Sequence, residues 1–129
     1  MLLDTHVLIW AMLAPDLLSG PARDALSNAT ERCVSAASVY EITYKAMLGK
    51  WPKVEKLLSI DLDARLRSDG FEVIPASGAV MELAGRFAWA HRDPFDRIIV
   101  ATALERAMPV VSKDTTLDTV PGGRVQRIW

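Results

Sequence analysis

Short apolar runs alternate with longer stretches of helical periodicity along this chain, and Pro, Gly, Ser and Asp punctuate the joins. Leu2-Leu3 reads as the end of a buried strand, and Thr5 to Leu13 continues with a helical apolar pattern that stops before Pro15. Ser19-Gly20 with Pro21 opens a second helix, to about Glu31. Cys33-Val34 is a short strand, followed by a helix from Ala36 to Leu48 that ends at Gly49. Pro52 opens a helix running towards Ser68. Phe71 to Ile74 is then a strand, Ser77 to Ala90 a helix, Asp93 to Ala107 another, Val110-Val111 a strand, and Val125 to Ile128 the closing strand. Parallel neighbours need crossover connections, so this alternation predicts an α/β fold whose central, mostly parallel sheet is covered on both faces. Ligands in such folds bind beyond the carboxyl ends of the strands.

Composition narrows the picture without changing it. The chain has 129 residues, half of them hydrophobic, which suits a single domain over 1–129. Lys and Arg total 15 against 16 Asp and Glu, so any nucleic-acid contact must come from a local patch rather than a global field. The single cysteine, Cys33, excludes an internal disulfide and a thiolate metal cluster, and fits a reducing compartment. Asp4 interrupts the apolar start and no basic residue precedes it, which argues against a signal peptide; no window approaches the roughly 20 apolar residues of a membrane span. A cytoplasmic protein without membrane contact is expected.

Four acids stand out by position. Asp4 follows a buried strand and precedes a helix, and Asp114 follows Val110-Val111-Ser112-Lys113 in the same way, so each reads equally as a cap or as a functional group. Glu41 has Lys45 four residues later, the order of a surface salt pair, yet it shares a helical row with Ala37, Tyr44 and Leu48. Asp96 is the most informative. Asp93 and Pro94 already complete the helix start, while Ile99, Val100 and Ala103 follow Asp96 at helical spacing. A carboxylate on an apolar face is costly without a cation or a metal. Asp118, four residues after Asp114, reads as an outer ligand or a solvated turn. His6 and His91 share no ligand spacing and read as core or surface residues. Trp10, Trp51, Trp89 and Trp129 are widely spaced, and packing or an interface accounts for them better than a base-stacking platform.

If the four acids converge, they form an all-oxygen, strongly negative pocket that selects Mg²⁺, or Mn²⁺ in its place, over zinc. Such ions activate water and stabilise charge on a scissile phosphate without a nucleophilic side chain. Lys45, Arg92, Arg97 and Lys113 lie near the acids in sequence and are candidates for flanking phosphates.

These same segments carry a family likeness. Leu2-Leu3-Asp4-Thr5-His6-Val7-Leu8-Ile9-Trp10 resembles the first motif of PIN domains, and Ser35-Ala36-Ala37-Ser38-Val39-Tyr40-Glu41-Ile42 the second. His91-Arg92-Asp93-Pro94-Phe95-Asp96-Arg97, with the apolar run after it, is similar to the third, and Val110-Val111-Ser112-Lys113-Asp114 to the fourth. The subgroup resembled is the VapC-type toxins. The resemblance implies a three-layer α/β/α PIN fold, Mg²⁺- or Mn²⁺-dependent cleavage of RNA, a homodimer, and inhibition by a VapB-type antitoxin. It maps the acidic quartet onto Asp4, Glu41, Asp96 and Asp114, with Asp118 as an accessory position and Thr5 and Ser38 as small hydroxyls beside the acids. Two rival readings are a PIN-like module that binds RNA or protein without cutting, and a receiver-like phosphoacceptor domain. The complete quartet opposes the first. Receiver domains usually carry an acidic pair after the first strand, whereas Thr5 and His6 follow Asp4 here.

Overall fold

In the computed structural model, which describes residues 1–51, 54 and 61–129, the shortest apolar runs become the middle of the sheet. Strands β1 (Leu2–Leu3), β2 (Arg32–Ser35), β3 (Phe71–Ile74), β4 (Val110–Val111) and β5 (Arg127–Ile128) lie in the order β3-β2-β1-β4-β5. All four pairings are parallel, with Leu2 opposite Cys33 and Val110, and Leu3 opposite Val34 and Val111. A strand covered on both faces needs no polar alternation, which is why two leucines and two valines suffice for β1 and β4.

Successive strand residues point to opposite faces, and they divide the interior into two cores. Leu3, Val34, Val73 and Val111 join one, with Val7, Leu8, Ala22, Ile42, Ala46, Leu62 and Leu66 packed over them. These come from α1 (Thr5–Leu13), α2 (Gly20–Asn28), α3 (Ala36–Met47) and α4 (Leu62–Ser68). Leu2, Cys33, Ile74 and Val110 join the other, beneath Ile99, Val100 and Ala103. That second face is closed by α5 (Gly78–Arg86) and α6 (Pro94–Arg106), which meet each other through Val80, Ala84 and Ala101. The result is the expected α/β/α layering. Leu2 and Leu3 are wholly buried, and truncating either to Ala would cost about 2–5 kcal/mol.

Helix starts follow the sequence signals: Ser19, Ser77 and Asp93 accept hydrogen bonds from the backbone N–H groups of Ala22, Val80 and Phe95. Several ends differ from expectation. The helix α2 stops at Asn28 rather than near Glu31, since the chain must be extended by Arg32 to enter β2. The expected helix start at Pro52 lies outside the described residues. The closing strand is confined to Arg127–Ile128. Most informative is α5, which ends at Arg86 instead of reaching Ala90. The Arg97 guanidinium, in the first turn of α6, donates to the carbonyls of Ala84 (2.8 Å), Trp89 (2.9 Å), His91 (2.9 Å) and Phe87. A charged fork with several carbonyl acceptors outcompetes one more helical turn. No helix among the described residues is long and apolar enough to cross a membrane.

From β1 the sheet grows through β2 and β3 on one side and through β4 and β5 on the other. The order therefore reverses between β1 and β4, and a crevice opens beyond their carboxyl ends. Asp4 immediately follows β1, and Asp114 follows β4 by three residues.

Candidate active site

Asp4 sits at the head of α1 in an extended conformation, where its Oδ1 accepts from the His6 backbone N–H at 3.4 Å. The cap reading is thus true, and incomplete. Its Oδ2 accepts from the Ser112 hydroxyl at 2.6 Å, and that hydroxyl in turn accepts the Asp114 backbone N–H at 3.0 Å. Ser112, fully buried at the end of β4, therefore ties the two strand-end aspartates together. Asp114 caps the turn that follows, its Oδ1 accepting from the Thr116 N–H at 2.8 Å.

Glu41 lies on the inward row of α3 and is 6% exposed. Its Oε1 is 2.5 Å from Lys45 Nζ, so the salt pair exists, but with a buried carboxylate rather than on a solvated face. Beside it the Thr5 hydroxyl donates to the Ser38 Oγ at 3.0 Å, locking the start of α1 to α3. Asp96, in the first turn of α6, holds its Oδ2 2.6 Å from His91 Nε2. The loop that delivers His91 is the one stapled down by Arg97.

Asp4 is the hub of this arrangement. Burial pushes its carboxyl above the ordinary carboxylate range and the Glu41 charge adds to the rise, against the pull of Ser112 and His6. Asp96 is also raised, chiefly by burial, with the charges of Asp93 and Asp4 adding and His91 opposing. Asp114 is lowered by hydrogen bonding from Thr116, with His91 and Arg127 contributing. Asp4 and Asp114 line a cleft of about 250 Å³ with His6, Trp10 and Lys113, while Glu41 and Asp96 lie near enough for their charges to couple to Asp4. The quartet's oxygens are not drawn together as around an ion. Among the described residues, the ligand atoms that lie within 4.8 Å of one another are those of Glu31, Cys33 and Glu72, at the amino end of the sheet. Like charges separate, and Lys45, His91 and Ser112 each hold one acid in place.

Other sequence candidates divide. Asp118 is exposed and forms a two-pronged pair with Arg127 at 2.7 and 2.8 Å, which fits the solvated turn rather than the outer ligand. Arg97 spends four N–H groups on backbone carbonyls and is a structural clamp, not a phosphate contact. Lys113 and Arg92 are exposed. Sequence reasoning missed His91 and Ser112, and took Arg97 for a candidate phosphate contact. The signal for His91 was available: with a turn at Asp93-Pro94, residues 91 and 96 face each other across it.

The PIN domain family profile matches residues 1–123. Ribonuclease VapC22 of Mycobacterium tuberculosis is 33% identical over 130 residues, covering 99% of this chain and 97% of that protein. DNA-bound VapBC from Salmonella typhimurium aligns with a TM-score of 0.71 at 19% identity, over 98% of this chain and 94% of that one. VapBC2 from Rickettsia felis, bound to a DNA fragment of its promoter, aligns with a TM-score of 0.67 at 17% identity, over 98% and 95%. These structural likenesses establish the fold.

Proposed function

The chain belongs to the PIN-domain family, and we propose that it works there as a metal-dependent endoribonuclease of the VapC type, the toxin of a pair restrained by a VapB-type antitoxin. One observation carries the reading: beyond β1 and β4, Asp4 and Glu41 are buried and Asp96 half-buried, and burial raises the carboxyls of Asp4 and Asp96.

The donor set fits a hard divalent ion. It is all oxygen and multiply negative, and burial drives Asp4 and Asp96 towards their neutral forms, a cost that a cation removes. Asp4, Glu41, Asp96 and Asp114 would hold Mg²⁺, with Mn²⁺ able to substitute. When bound, such an ion supplies an activated water and stabilises charge on the phosphate. The chain's own groups prepare the site. Ser112 aims Asp4, His91 aims Asp96, and Lys45 keeps Glu41 turned inward. Lys113 and Arg92 are exposed cations suited to flanking phosphates. The relative's name, a ribonuclease, supports RNA as substrate. A homodimer is supported by exposed Tyr40, Tyr44 and Met47 on α3 and Met81 on α5.

The purified chain, freed of antitoxin, is expected to cleave structured or single-stranded RNA in Mg²⁺ or Mn²⁺ and to stop in excess chelator. Undiminished cleavage in chelator would overturn the metal mechanism. A binding-only module would bind RNA and cut none.

A further inference from the structure

The wall beside the acids is aromatic. His6, one turn ahead of Trp10 on α1, has its ring 6.1 Å from Trp10 and 5.5 Å from Trp51, and Trp10 is 5.7 Å from Trp129. Two tryptophans that are remote in sequence thus flank one exposed imidazole, and a third, Trp129, backs Trp10. Two lysines lie over this row: Lys113 Nζ is 6.0 Å from the Trp10 ring centre and Lys45 Nζ 4.6 Å from that of Trp51. Packing alone does not account for the placement, because the imidazole and the Trp10 ring line the same cleft as Asp4, Asp114 and Lys113. Among the described residues neither the His6 ring nor the Trp10 indole N–H has a hydrogen-bond partner, and both side chains line that cleft.

We propose that His6 and Trp10 form a stacking wall for one unpaired nucleobase of the RNA next to the scissile phosphate, with Lys113 placed for the phosphate on its far side. The inference rests on the ribonuclease reading and adds what the acids cannot supply. Carboxylates and a cation read phosphate and leave the base undefined, whereas a ring face adjacent to them fixes where the neighbouring base must lie. At about 250 Å³ the cleft takes a single nucleotide unit rather than a larger ligand. A base already stacked in a duplex cannot use the wall, so this nucleotide is read as single-stranded. Lys45 is paired with Glu41, but exposed Lys113 over the Trp10 ring makes the wall cationic at its rim, which suits a base flanked by phosphates.

The test uses single-stranded RNAs in which one base at a time, on either side of the cleavage point, is replaced by an abasic unit. With wild type, one abasic position adjacent to the cut is expected to raise KM about tenfold. With His6→Ala, an exposed position, and with Trp10→Leu, which keeps an apolar side chain on α1, KM for intact RNA rises similarly and the abasic unit adds nothing further. Unchanged KM in both variants, or an abasic penalty that persists in full in them, overturns the wall. A second readout is independent of turnover: on an Asp96→Asn background in Mg²⁺, a short oligoribonucleotide should quench tryptophan fluorescence, and Trp10→Leu should remove most of the quench. Quenching that is absent, or equal with and without Trp10, refutes stacking. If wild type cleaves no RNA while the Trp10-dependent quench is present, the nuclease reading fails and the base wall stands.

Discussion

Acids gather at both ends of this sheet, and the two ends differ in what holds them. At the amino end, Glu31 and Glu72 are exposed and flank Cys33, whose thiol is pushed up first by burial and further by those two charges. A neutral thiol is a poor ligand and water already solvates the carboxylates, so closeness costs little and implies little. At the carboxyl end the oxygens are less tightly clustered, yet Asp4 and Glu41 are buried, Asp96 is half-buried, and each has a partner that aims it. Convergence of acids is therefore the weaker sign of a metal centre. Desolvation against an organised set of positioning groups is the stronger one.

The largest expected effect tests that contrast directly. Asp96→Asn removes one carboxylate from the set at the carboxyl end, and RNA cleavage should fall by at least about 100-fold, measured as kcat/KM on one RNA in Mn²⁺. Full activity in this variant would remove Asp96 from the site and leave it as a first-turn acid supporting the helix dipole. Next comes the group that aims it. His91→Ala should lower cleavage by roughly 10–100-fold, with the loss concentrated at low Mn²⁺ and partly recovered at high Mn²⁺. A loss that no concentration of metal relieves would assign His91 some role other than positioning.

A smaller effect concerns stability in chelator. The carboxyls of Asp4 and Asp96 are raised in the folded chain, so below the ordinary carboxylate value of about 3.9 both states are protonated and nothing changes. Above it the unfolded chain ionises first, and the metal-free protein loses stability as pH rises until the buried acids ionise too. Asp114 and Asp118 act oppositely: their stabilisation is present at neutral pH and is lost as pH falls through their lowered values. In urea melts with chelator, Asp96→Asn should be more stable than wild type at pH 7, and the gap should close towards pH 4. Its thermal shift on adding Mn²⁺ should also shrink. A variant less stable than wild type at pH 7 would mean that the His91 contact outweighs burial.

Much of this was legible from the chain because the informative features are local. Two-residue apolar runs marked β1 and β4, since a fully covered strand needs no alternation, and Asp93-Pro94 marked the head of α6. The acids at strand ends and helix starts followed from those boundaries. What escaped depended on contacts across the fold. Arg97 reads as a candidate phosphate contact until Ala84, Phe87, Trp89 and His91 are seen to turn their carbonyls to it, and the early end of α5 is the same event. Ser112 joins Asp4 to Asp114 only because β4 lies beside β1. The spacing of the tryptophans gave no hint that Trp10 and Trp51 meet at His6 with Trp129 behind Trp10.

The smallest effect is expected at the amino end, where Glu72→Gln removes one carboxylate from the cluster it forms with Glu31 and Cys33. Glu72 lies on the edge strand β3 with its side chain in water, and its Oε2 is 3.9 Å from the Cys33 Sγ, a contact too long to hold either group firmly. Losing the charge relieves a like-charge neighbour of Glu31 and one of the influences that keep the thiol protonated. The variant should therefore melt within about 0.5 kcal/mol of wild type, as exposed substitutions usually do. Its Mn²⁺ shift and RNA cleavage should match wild type, because neither draws on this end of the sheet. A Mn²⁺ shift that falls in Glu72→Gln while it persists in Asp96→Asn would reverse the comparison, moving the metal from the buried acids to the exposed ones.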